Sequence, residues 1–137
     1  MDRKKYSLIL SIILVFSVVF SYVAYTFGNK QQKVNYNEVY QVAEACRNLC
    51  LYAKDLLAQQ NKSLNSECLS EIPLLISYWP YENWVCDVVH VPRQEIDNLP
   101  QNQCKSFLSG KAKNFVEVSP NCTIVRIYYN GKVINLQ

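Results

Sequence analysis

From Tyr6 to Phe27 the chain reads YSLILSIILVFSVVFSYVAYTF, without one Asp, Glu, Lys, Arg, Asn, Gln, Gly or Pro. As a helix rising about 1.5 Å per residue, such a run covers a hydrocarbon core of roughly 30 Å. A helix is also the form in which a single segment satisfies its own backbone polar groups in lipid. Ser7, Ser11, Ser17, Ser21 and Thr26 are tolerable inside the run, because their hydroxyls can bond back to carbonyls of the same helix. Tyr6, Tyr22 and Tyr25 lie towards its ends, where interfacial aromatics collect. The sequence therefore predicts a cytoplasmic tip and transmembrane signal-anchor over residues 1–29, with the lipid bilayer as first partner.

The flanks orient it. Arg3, Lys4 and Lys5 stand directly before the run, and a basic cluster at the short end favours a cytoplasmic N-terminus. Lys30 and Lys33 weaken that bias. The rival is a cleaved secretory signal, whose apolar core would run about 7 to 15 residues and end in an Ala-x-Ala-like site. Here the run is longer and the site is missing around Ala24, which favours an uncleaved anchor. Either way the protein is placed at the cell membrane with residues 30–137 extracytoplasmic: a polar stalk over 30–35, then one small domain over 36–137.

A domain of that size buries a modest share of its surface and needs reinforcement. Cys46, Cys50, Cys68, Cys86, Cys104 and Cys122 supply it. Six cysteines confined to the part assigned to an oxidising space are most simply three disulfides, with fifteen connectivities open. Zinc is disfavoured by the absence of a C-x-x-C pair, so neither a metal nor another cofactor is expected. The last five cysteines fall eighteen residues apart, but the intervening residues do not align, and the spacing marks no repeat. Of the fourteen basic residues, all but Arg3, Lys4 and Lys5 lie beyond the anchor, and of the eleven acids all but Asp2. Eleven against ten is near neutrality and gives no footprint for nucleic acid.

Asn35 and Glu38 form a helix-start signature, with the reciprocal pairing of a capping box. Tyr36, Val39, Tyr40, Ala43, Cys46, Cys50, Ala53 and Leu57 then recur at three and four, one apolar stripe of a helix reaching to Gln60. With no proline between, this helix and the span could also be continuous. At four residues' separation on a helix, Cβ atoms lie about 5 to 6 Å apart, too far for the roughly 3.5 to 4.5 Å of a disulfide. Cys46 and Cys50 should each tie the helix to a different place. Our pairing expectations are Cys50 with Cys68 and Cys104 with Cys122.

Strand character follows in Trp84–Val91, which ends at Pro92, and in Lys113–Val118, Thr123–Tyr129 and Lys132–Leu136. Asn130-Gly131 is a two-residue hairpin turn needing positive φ. Pro100 to Ser109 suits a short helix facing Cys104, Phe107 and Leu108 inward, with Gly110 as its stop. The fold class is thus α+β: an N-terminal transmembrane helix, then an amphipathic helix packed on a small three- to four-stranded antiparallel sheet, stapled by disulfides.

Between Pro73 and Trp84 the chain crowds Tyr78, Trp79, Tyr81 and Trp84 around Pro80. Two readings stay open, a packed lid over the helix or an exposed patch that meets a partner. Cys86, Asp87 and the single histidine, His90, could suggest a nucleophile or metal site, but a lone His at a strand end beside a disulfide is more simply structural. No carboxylate pair, phosphate loop or activated nucleophile is apparent, so no catalytic residue is assigned. Asn61-Lys62-Ser63 and Asn121-Cys122-Thr123 match the glycosylation triplet, which alone does not decide modification.

A basic start, an apolar helix, an amphipathic extension and a small disulfide-bearing sheet resemble the layout of type IV pilin-like proteins. The segments WVCDVVHVPRQEIDNLPQNQC and GKAKNFVEVSPNC resemble parts of small archaeal membrane-anchored cysteine-rich proteins. The first resemblance implies a structural or contact role, through self-assembly or another envelope protein; the second implies no activity and no catalytic residues.

Overall fold

The computed structural model describes residues 13–23, 25 and 34–134. The chain divides into two units, Met1–Lys33 and Val34–Gln137. In the first, residues 13–23 are helical and Ile13, Leu14, Phe16 and Phe20 are exposed. The Ser17 hydroxyl donates to the Leu14 carbonyl and that of Ser21 to the Ser17 carbonyl, each at 2.8 Å, the back-bonding that lets hydroxyls sit in an apolar helix. Among the described residues no helix is long and apolar enough to cross a membrane. The rest of the predicted span (6–12, 24, 26 and 27), the basic cluster at 3–5 and the stalk as far as residue 33 lie outside the described residues.

The second unit begins with α1, Tyr36–Ala58. Asn35 caps it, its side-chain oxygen accepting the Glu38 N–H at 3.3 Å. Glu38 does not return the bond. Its carboxylate accepts instead from the Trp84 indole at 3.1 Å and the Tyr129 hydroxyl at 3.2 Å, tying the helix start to the sheet. The buried stripe is Val39, Val42, Ala43, Cys46, Leu49, Cys50 and Ala53. Relative to expectation the helix is rolled so that Val42 and Leu49 enter, while Tyr36 and Tyr40 stay exposed. Shorter aliphatic side chains let the helix lie closer to the sheet than two tyrosines would.

Four strands follow: β1 (Trp84–Val88), β2 (Asn114–Val118), β3 (Ile124–Tyr129) and β4 (Lys132–Ile134), in the order β1-β2-β3-β4. The last residues of the predicted fourth strand, 135 and 136, lie outside the described residues. The expected wholly antiparallel sheet is corrected to a mixed one, because β1 and β2 run parallel. Parallel neighbours need a long crossover, and residues 89–113 provide it. That crossover holds the 3-10 turn Glu95–Asn98 and a single helical turn, α2 (Lys105–Leu108), shorter than the predicted 100–109. Leu108, expected inside, is exposed. The β3–β4 hairpin turns on Asn130 and Gly131, at φ 49° and 81°, the positive pair the sequence called for.

Strand alternation gives the sheet two faces. Trp84, Cys86, Val88, Val116, Val118, Ile127 and Tyr129 pack under α1 as the main core. On the other face Val85 meets Cys104, Ala112, Phe107 and Phe115 beneath the crossover.

The disulfides are Cys46–Cys86, Cys50–Cys122 and Cys68–Cys104, and no cysteine among the described residues is free. Cys46 and Cys50 do tie α1 to two places, β1 and the turn before β3. The pairings Cys50–Cys68 and Cys104–Cys122 are corrected. Cys68 sits at a bridge beside Asp87 at the outer edge of β1 and packs with the second-face cluster, where Cys104 is, whereas Cys50 points from the buried stripe of α1 to the other face.

Candidate functional site

The predicted aromatic patch is divided by the fold. Trp84 is 3% exposed and stacked on Tyr129 with ring centroids 5.3 Å apart, so it belongs to the core. Trp79 is half-buried; its indole N–H donates to the Trp84 carbonyl at 2.9 Å, and its ring meets Tyr81 edge-on at 5.1 Å. Tyr78 faces elsewhere, 59% exposed and packed against Tyr52 on α1 at 5.0 Å.

What Trp79, Tyr81 and Trp84 share is a cleft of about 310 Å³. These aromatic residues, Ile76 and Val85 supply its apolar lining, and Glu71, Glu82, Lys111 and two serines, Ser70 and Ser106, its polar groups. Glu71 is already committed, its carboxylate accepting the backbone N–H groups of Lys105 and Ser106 at 2.9 and 2.6 Å, which fastens the crossover beside the cleft. A concave apolar wall with a few charged groups at its edge suits binding of a side chain or small polar molecule. Trp79 packs on the main core and also walls the cleft.

The Cys86, Asp87 and His90 grouping does not assemble. Cys86 is bonded to Cys46 under α1, Asp87 lies on the opposite face, and His90 turns to Asp97 with Nδ1 2.8 Å from Oδ1. Burial alone would push the Asp97 carboxyl up. Hydrogen bonds from the Gln94 N–H, from the ring and N–H of His90 and from the Ser66 hydroxyl outweigh it and hold it down to about 2. Among the described residues no Ser, Thr or Cys side chain is hydrogen-bonded to the His90 ring, whose partner is Asp97. Nor do three His, Cys, Asp or Glu side chains converge as for a metal ion among those residues.

A charged group not foreseen from the sequence lies under the crossover. Register sets Asp87 opposite Glu117 and Glu117 opposite Arg126. Glu117 accepts two bonds from Arg126, at 2.7 and 2.8 Å, and one from Arg93 at 2.8 Å. Asp87 is 6% exposed and its Oδ1 has no hydrogen-bond partner. Burial, and next the charge of Glu117, lift its carboxyl to about 8 against the pull of Arg93 and the Val88 N–H. A small cavity of about 110 Å³ opens there, between these four residues and the rings of Phe107 and Phe115. A strand pattern could have flagged Asp87 as a charge inside an apolar run, but nothing local named its neighbour.

No family model, curated protein or solved structure matches the chain. What either site can do is therefore argued from its own residues: the cleft can receive a partner group, and the acid pair can hold a proton.

Proposed function

We propose that the chain is a single-pass, membrane-anchored module displayed outside the cytoplasm, whose stapled α+β domain acts by structural contact and not by catalysis. The observation that carries the reading is the complete pairing of six cysteines, since disulfides form and persist in oxidising spaces. The uninterrupted apolar run Tyr6–Phe27 and the basic cluster before it supply the anchor and its orientation. Protease added to sealed cells should remove residues 30–137. Protection of that segment until lysis would overturn the orientation, and two alkylatable thiols in the native protein would overturn the compartment.

The aromatic cleft favours a binding role within the same reading. Ile76 lines it and is 55% exposed, so Ile76→Asp should leave the domain folded and weaken capture of an envelope partner. Contact with further copies of the chain, as in a pilin-like filament, would appear as ordered polymers of the full-length protein in negative-stain microscopy.

A further inference from the structure

On the face of the sheet beneath the crossover, two carboxylates occupy directly opposed positions of parallel strands, Asp87 on β1 and Glu117 on β2. Both are almost wholly buried, at 6% and 5% exposure. Like charges placed this way repel, and in a site removed from water one of them gives way. Which one is decided by the guanidinium groups. Arg126 and Arg93 make three bonds to Glu117, while Asp87 Oδ1 receives none.

Arg93 does more than neutralise. Its Nη1 reaches Glu117 on the sheet, its Nε donates to the Asn98 side chain at 2.8 Å and its Nη2 to the Asp97 carbonyl at 3.3 Å. One cation thus bolts the 95–98 turn of the crossover to β2. Gln103 donates to the same Asp97 carbonyl, and Asp97 in turn holds His90 and Gln94, so the turn is a connected unit hung from Arg93.

We propose that Asp87 and Glu117 form a proton-holding acid pair that keeps the crossover latched to the sheet and releases it when the medium turns alkaline. The charged groups around Asp87 are Glu117 on β2, Arg126 on β3, Arg93 in the crossover, and Asp97 with its partner His90 in the following turn. While Asp87 is protonated, the cations have one carboxylate to serve. Once it ionises, a second anion competes for them inside a cavity of about 110 Å³. Arg126 holds Glu117 through two bonds and Arg93 through one, so Arg93 is the cation that shifts. Its bonds to Asn98 and Asp97 are then exchanged, and the crossover loosens.

The direction with pH follows from linkage. Unfolded, Asp87 loses its proton in the ordinary carboxylate range near about 4; folded, it keeps the proton up to about 8. Stability from this group is complete below the first value, falls as pH rises between the two, and levels off above the second.

The test is amide hydrogen exchange of the full-length protein from about pH 6 to about pH 9.5, corrected for intrinsic base catalysis, in the native protein and in Asp87→Asn. Protection of residues 95–108 in the native protein should fall by roughly tenfold per pH unit as the pH rises from about 6 and level off above about 8, while α1 stays protected. Asp87→Asn should show no such step. Carboxyl-carbon NMR of the native protein should show Asp87 titrating at alkaline pH. Equal profiles in the two proteins, or an Asp87 carboxyl titrating in the ordinary acid range, would overturn the proposal. Should Asp87→Asn fail to fold, the carboxyl titration decides alone.

Discussion

The face of the sheet under α1 and the face under the crossover are built by the same strands, yet they are held by different physics. Under α1 the inward residues of β1, β2 and β3 are Val, Ile, Cys and aromatics, and two disulfides clamp helix to sheet. Under the crossover, apolar Val85 and Phe115 stand next to a row of Asp87, Glu117 and Arg126, closed by one disulfide and one bridging arginine. Hydrophobic burial is indifferent to pH and non-directional. A buried charge row is neither, because its free energy depends on protonation and on each bond being made. The first face gives the domain its stability, and the second makes part of it conditional.

Substitutions can break or sharpen that contrast, read by urea unfolding. The largest effect should come from the longest covalent loop, Cys50–Cys122, which spans 72 residues. Cys50→Ala with Cys122→Ala should cost about 4 kcal/mol on chain-entropy grounds. Ile127→Ala, in the fully buried core beneath α1, should cost about 3 kcal/mol, equally at acidic and alkaline pH. Glu117→Ala should cost about 2 kcal/mol, less than a deeply buried pair because Arg93 and Arg126 are 34% and 43% exposed and regain water. It should also lower the Asp87 titration, by removing the repelling charge and freeing both cations; an unchanged titration would deny that the two acids are coupled. Trp79→Phe, which deletes the bond to the Trp84 carbonyl, should cost about 1 kcal/mol. Arg47→Ala breaks an exposed i,i+3 pair and should cost less than about 0.5 kcal/mol.

The same contrast explains what could be read before the fold was known. Local rules found α1 and its Asn35 cap, the strands within a few residues, and the Asn130-Gly131 hairpin, because each is decided by neighbours along the chain. They failed where distant segments decide. Tyr36 and Tyr40 fit the helical period as well as Val42 and Leu49 do, and only docking on the sheet chose between them. The parallel pairing of β1 with β2 depends on the route of residues 89–113, and with it went the second-face row, since antiparallel pairing would have given Asp87 another neighbour. The disulfide partners were missed for the same reason: Cys68 and Cys50 are close in sequence but serve opposite faces. In the aromatic run, Trp84 was lost to the core and Trp79 shared, because proline-flanked aromatics carry no period that assigns a side.

The three bridges also interlace along the chain. Cys68 lies between Cys46 and Cys86 while its partner Cys104 lies beyond, and Cys50–Cys122 straddles both later cysteines of that weave. A protease that cuts once anywhere between residues 46 and 122 therefore releases nothing. Two cuts, one between Asn61 and Glu67 and one between Val91 and Gln103, leave three pieces of which every pair is still joined by one bond. The domain would run as a single species on a gel without reductant and fall into fragments with it. In surroundings rich in hydrolases, such a molecule survives as a bonded network after it has ceased to be a continuous polypeptide.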